Sequence, residues 1–295
     1  STTKKIWCLI LVCLPSRAIH VEPLVSMDTS SFRNALSRFL AIRGNCQLIR
    51  SDRGSNFCSA KKQIEESIDI DQISKELKTK NIEWKMNAPN SSFKGGSWER
   101  KIASVRRILE ACLMQMGNRG VTRDEFSTLL AEASQIVNNT PLWTVPNHPN
   151  NPQPLSPAML LTLKSKPNPP PTDEFSEQDL MAYGKRRYRR VQHLANVFWR
   201  QWQQNYVLSL NQRQKWKILK RSMGIGDVVI VKDKQAPRNH WKLGRIVSVK
   251  HSDDGLVRTV DVKMPPLSSR NSPRIFTRSI NDLVLLVPND SQDCE

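Results

Sequence analysis

The chain has no apolar run that approaches the ~18–20 residues a bilayer-crossing helix needs. Cysteine is sparse. The six positions, 8, 13, 46, 58, 112 and 294, contain no CxxC pair and no paired His–Cys spacing, so neither a disulfide framework nor a zinc module is expected. They read as reduced intracellular thiols packed as small apolar groups. There is no internal repeat. Acidic residues are missing from one place in particular: residues 185–280 hold 22 Lys and Arg against five Asp, a net +17.

The charge that is present follows from that gap. Of 295 residues, 45 are Lys or Arg and 27 are Asp or Glu, for a formal net charge of +18. Residues 1–184 carry a net +5 and the last 15 residues carry −4, so nearly all the imbalance lies in the C-terminal block. A block that basic implies a polyanion partner, nucleic acid first and an anionic membrane surface as the weaker alternative. At 38% hydrophobic the chain can bury a core, which excludes global disorder. Its length fits about two domains at ~150 residues each. Lys4-Lys5 and the run Ile6–Leu14 imitate a secretory signal, but no small-residue cleavage site follows and Arg17, His20 and Glu22 come at once. The run reads as a buried strand. With Ser1 at the start and Met27 as the first methionine, the chain reads as a piece of something longer.

Ile6–Leu14 and Ala18–Leu24, separated by Pro15-Ser16-Arg17, form a predicted hairpin. A helix follows, with Asp28 or Thr29 as N-cap, Phe32, Leu36, Phe39 and Leu40 at helical spacing, and Gly44 as its stop. Cys46–Arg50 is a short strand, Ser59–Lys80 a polar helix or two, and Ile82–Met86 another strand. A long helix from about Ser97 to Met116 and another from Asp124 to Asn138 complete an α/β domain over 1–140. The Pro-rich stretch 141–184 reads as a linker or extended arm with one short helix at Ser156–Thr162. Residues 185–290 read as a basic helix carrying Trp199, Trp202 and Trp216, then five short strands that suggest a small β-barrel with Trp241 packed inside it.

Two carboxylates stand out by position. Asp52 follows an apolar strand, with small and polar Gly54-Ser55-Asn56 after it, and Glu99 lies in the first turn of the long helix behind Gly95-Gly96. A strand end and a helix start can converge on one sheet edge, and converging carboxylates bind Mg²⁺ or Mn²⁺. Two such metals about 4 Å apart serve phosphoryl transfer. On spacing alone two carboxylates are a weak signal, and the plain reading is the stronger one: Asp52 as a turn residue and Glu99 as a helix residue favoured by the dipole.

The strings around them narrow this. Ser51-Asp52-Arg53-Gly54-Ser55-Asn56-Phe57 and Phe93-Lys94-Gly95-Gly96-Ser97-Trp98-Glu99-Arg100 resemble the second and third acidic motifs of DDE retroelement integrases, specifically the BEL/Pao class of LTR retrotransposons. Cys13–Glu22 resembles that class's hairpin. Arg187–Leu194, Phe198-Trp199, Gln214-Lys215-Trp216 and Gly226–Val229 resemble its C-terminal region. The resemblance implies a ribonuclease-H-like core, a two-metal Mg²⁺ or Mn²⁺ site and a basic barrel that holds double-stranded DNA. It also implies DNA integration by strand transfer, a homo-oligomer and a nuclear location. Asp52 and Glu99 would be two of three metal ligands, and Asn56 would position substrate.

Two departures accompany the likeness. The family's first catalytic Asp precedes the hairpin, whereas no acidic residue here precedes Glu22, and neither Glu22 nor Asp28 is a good substitute. That first strand, and the family's zinc-binding module, are expected upstream of Ser1, which leaves the core incomplete. Arg53 stands where the family has Asn, so it either competes with metal or contacts phosphate. Lys94 fits the phosphate role, as do Arg186, Arg187, Arg189 and Arg190 on the basic helix. His20 reads as a structural strand-end residue, Trp98 as packing, and Trp199, Trp202 and Trp216 as packing rather than base-stacking. The rivals are a catalytically inactive DNA-binding remnant and a nuclease on the same fold.

Overall fold

The computed structural model describes residues 6–51, 68–86, 96–117, 120–145, 153–164, 169–181, 187–210, 222–252, 255–266 and 273–289. By their contacts the residues fall into two units. One comprises Ser1–Ser134 with Tyr183–Val191, the other Gln135–Ala182 with Gln192–Glu295.

In the first unit, β1 (Trp7–Val12) and β2 (Ile19–Leu24) pair antiparallel, Trp7 opposite Leu24 and Val12 opposite Ile19. The loop between them closes with Cys13 N–H donating to the Ala18 carbonyl at 2.8 Å, and Arg17 takes a left-handed φ of 59°. Helix α1 (Thr29–Arg43) begins where the Asp28 carboxylate accepts from Ser31 N–H at 2.7 Å, and it ends at Gly44, whose φ is +81°. Strand β3 (Leu48–Ser51) runs parallel to β4 (Glu83–Met86), Ser51 opposite Met86. Helix α2 (Ile70–Thr79) lies between them in sequence, as a parallel pair requires a crossover. Leu36, Ile73, Leu77 and Ile82 make the core of this layer, with Phe32, Phe39 and Trp84 packed on it. Helix α3 (Gly96–Met114) buries the predicted stripe at Val105, Leu109 and Cys112, and α4 (Arg123–Asn138) follows. Only the later part of the expected helical span 59–80 lies within the described residues.

The second unit takes in all but the last two residues of the stretch 141–184, which carries more regular structure than a linker: β5 (Trp143–Val145), β6 (Gln153–Leu155), α5 (Pro157–Thr162) and α6 (Gln178–Met181). The 24-residue α7 (Arg187–Leu210) comes next, its first turns in the first unit and the rest in the second. Five antiparallel strands complete the chain: β7 (Val228–Val231), β8 (Leu243–His251), β9 (Val257–Met264), β10 (Arg274–Ser279) and β11 (Leu283–Val287). All five predicted strands are present. Their order is β10–β9–β8–β7–β11, and among the described residues no ladder joins β10 to β11 to close a barrel. Val229, Ile246, Val260, Val262 and Leu283 form this sheet's core. The pattern change at Gly224 and Gly226 has a steric cause. Gly226 has φ +90°, and a Cβ there would stand 2.2 Å from Asn289 Nδ2. Asp227 locks the same corner, accepting from the N–H groups of Gly224 and Asn289, each at 2.8 Å.

Candidate active site and nucleic-acid interface

Parallel strands end at a common edge, and β3 and β4 set the frame of the candidate site in this way. Asp52 is the next residue in sequence after the end of β3. Residues 87–95 lead from the end of β4 into α3, whose first turn carries Glu99. Asp52, Arg53, Asn56 and Lys94 lie outside the described residues, as do Arg186 and Trp216. Glu99 is described, and its Oε1 is buried without a hydrogen-bond partner among the described residues. A carboxylate oxygen left that way is costly unless a cation or donor meets it. It is the hard oxygen donor that Mg²⁺ or Mn²⁺ takes, so the one described candidate ligand fits such an ion. Among the described residues no group of three His, Cys, Asp or Glu is placed to hold a metal.

Lys101, two residues beyond Glu99, carries a tie that no sequence pattern signals. Its ammonium donates to the Arg17 carbonyl at 2.5 Å and thereby fixes α3 to the hairpin tip. Burial, with the nearby Arg17 charge, pushes Lys101 down to about 8. The carboxylates nearest the start of the chain serve the fold. Glu22 accepts from Arg38 Nε at 2.6 Å and meets His20 Nε2 at 2.9 Å. Because His20 Nδ1 accepts from Arg43 Nε at 3.3 Å, the ring proton resides on Nε2 and is donated to Glu22. Burial, outweighing the Glu22 bond, holds His20 below its ordinary value and keeps it neutral. Asp28 is occupied capping α1, and its bonds to Ser26 and Ser31 lower its carboxyl. The thiols of Cys8 and Cys112 are raised by burial to about 11 and about 12, so both stay protonated.

The basic helix divides its arginines. Arg187 is exposed and Arg189 half-buried, in a first turn with no acidic residue to offset the positive end of the helix dipole. Arg190 is turned inward: its guanidinium, 12% exposed, meets the Glu125 carboxylate, 3% exposed, at 2.5 Å. Further along α7, in the second unit, the tryptophans pack. Trp199 Nε1 donates to the Ala236 carbonyl at 3.0 Å and Trp202 Nε1 to Thr140 Oγ1 at 2.8 Å. Trp241 lies before β8 and makes edge contacts with Trp199 and Tyr206, at 5.0 and 5.3 Å between ring centroids. It therefore covers α7, whereas the sequence reading placed it inside the strands' own core. Among the described residues no helix is long and apolar enough to cross a membrane.

Residues 1–92 match the integrase core domain family, and residues 186–286 match a family of unknown function, DUF5641. No curated protein matches the chain. Among solved structures it is similar to a chain of the simian T-cell lymphotropic virus intasome in complex with PP2A regulatory subunit B56 gamma. That likeness has 13% identity and a TM-score of 0.37, and covers 96% of this chain and 73% of the other. A TM-score that low fixes no arrangement of elements. The N-terminal third is thus similar to integrase cores, in a unit of mixed α/β structure.

Proposed function

We propose that this chain belongs to a BEL/Pao-type retrotransposon integrase that joins DNA 3′-hydroxyl ends to a target strand. The observation that carries the reading is Glu99 Oε1, buried and unpartnered among the described residues, in a helix entered from one of two parallel strands whose mate runs into Asp52. Asp52 and Glu99 would hold Mg²⁺ or Mn²⁺. Such ions, when bound, activate the attacking hydroxyl and stabilise the leaving oxygen of a phosphodiester. A third ligand would come from a strand laid along β1, the first strand of a ribonuclease-H-like core. In support, β1 is the apolar run Trp-Cys-Leu-Ile-Leu-Val, none of it fully buried, and among the described residues it pairs only with β2.

The rest of the assignment concerns DNA. Arg187 and Arg189, with Arg186, would bind backbone phosphate at the start of α7, where phosphate would also offset the uncompensated dipole. Arg53 and Lys94 would hold phosphate beside the carboxylates, and Asn56 would orient it. The five-stranded sheet would add further contacts. The partners are double-stranded element ends, target DNA and further copies of the chain, in the nucleus.

The test joins a labelled DNA end to a plasmid with Mg²⁺ or Mn²⁺. The 295-residue chain, holding two of three carboxylates, is expected to be inactive, and a preceding segment that supplies an Asp is expected to restore joining. Asp52→Asn and Glu99→Gln should each abolish the restored activity while DNA affinity persists. Joining that survives either substitution would end the metal-site assignment. Intact DNA affinity with no joining under any condition would favour the inactive remnant.

A further inference from the structure

Strand β10 is an edge strand of the five-stranded sheet, and all six of its residues are exposed. Alternation puts Arg274, Phe276 and Arg278 on one face. They stand opposite Met264, Val262 and Val260 of β9, and those two valines are 0% exposed in the sheet core. Phe276 is thus on the core side of the sheet, yet it is 40% exposed. The Arg278 guanidinium lies over that ring, 5.5 Å from its centroid. Arg274 flanks it on the other side, the two arginines roughly 14 Å apart along the strand at ~3.4 Å per residue.

Charged residues on an edge strand often serve only to prevent edge-to-edge pairing. That function needs no exposed aromatic ring, and an exposed ring would work against it. An open ring with one cation over it and a second on the same strand face, within a block of net +17, suits a ligand with flat apolar bases strung on phosphates. Duplex bases are already stacked on one another, so the ligand that uses the ring is unpaired. We propose that the Arg274–Phe276–Arg278 face of β10 is a stacking platform for single-stranded nucleic acid. The proposal does not depend on the strand-transfer reading and can fail without it.

The experiment titrates the full chain with fluorescein-labelled oligothymidylate and, in parallel, a duplex of equal length over a salt series. Phe276→Leu should weaken single-strand binding roughly 5- to 100-fold, the scale of one lost stacked base. Its salt slope should be unchanged, since no phosphate contact is removed, and duplex affinity should change little. Phe276→Tyr should keep single-strand affinity. Arg274→Gln with Arg278→Gln should flatten the single-strand slope by roughly 1.4, at ~0.7 per contact. Unchanged single-strand affinity in Phe276→Leu, or equal losses on both ligands, overturns the proposal. So does a sedimentation mass that halves in Phe276→Leu, which would assign the edge to a second copy of the chain. If Phe276→Leu melts early, Phe276→Tyr and the double Gln variant decide alone.

Discussion

Replacing Arg190 with Gln would leave the Glu125 carboxylate, 3% exposed, without its cation. Removing one partner of a buried pair typically costs about 3 kcal/mol, and urea unfolding should show a loss of that order. Burial pushes the Glu125 carboxyl up, but the Thr122 N–H and hydroxyl, with Arg190, hold it below its ordinary value. A depressed carboxyl stabilises the fold above its unfolded value, near ~4.3, and that stability is lost as pH falls through the folded value. The acid limb of a melting-temperature profile should therefore move to higher pH in Arg190→Gln. Thr122-x-x-Glu125 is a capping box that the sequence reading, which began this helix at Asp124, did not use: the Thr122 hydroxyl accepts from Glu125 N–H while Glu125 reaches back. The pairing of Glu125 with Arg190 was not legible, since 65 residues separate the partners and no local pattern joins them. Within the run from Arg186 to Arg190, sequence alone cannot distinguish a cation that faces solvent from one that faces a carboxylate.

Helix α7 shows what element-level patterns can and cannot carry. Tryptophans among cations read equally as packing or as a stacking surface until their surroundings are known, and Trp199 at 2% and Trp202 at 5% exposure pack. Trp199→Ala should cost about 3–5 kcal/mol in denaturant unfolding. Trp202→Phe should cost nearer 1 kcal/mol, the worth of its bond to Thr140. Of the candidate site, the frame was the legible portion. Cys46–Arg50 and Ile82–Met86 were readable as strands, and the helix carrying Glu99 was readable from its apolar stripe. Their parallel register and the buried Glu99 oxygen depend on tertiary packing. The same holds for β10: its sequence marks a strand, but only sheet order makes it an edge with an open ring.

For the whole molecule, the charge arithmetic translates into a salt dependence. Duplex affinity should fall with salt, and Arg187→Gln with Arg189→Gln should flatten the log–log slope by roughly 1.8, at ~0.9 per phosphate contact. Arg190→Gln should leave that slope unchanged, because its charge is matched within the fold. Fluorescence titrations over a salt series test both statements. The division of the chain was less legible than its charge. Proline density marks 141–184 as a linker, but proline also suits short strands and a helix start such as Pro157 after Ser156. The residues of that stretch up to Ala182 belong with the C-terminal sheet, and the Tyr206 hydroxyl donates to the Pro141 carbonyl while Trp202 Nε1 donates to Thr140 Oγ1. A fragment 185–295 should therefore unfold more easily than 135–295, by at least about 2 kcal/mol for the two missing bonds. Equal melting temperatures would refute that. Any trimming of the chain meets the same constraint. A boundary drawn within the proline-rich stretch would strip both aromatic side chains of their acceptors, so a self-sufficient C-terminal piece has to begin ahead of Thr140.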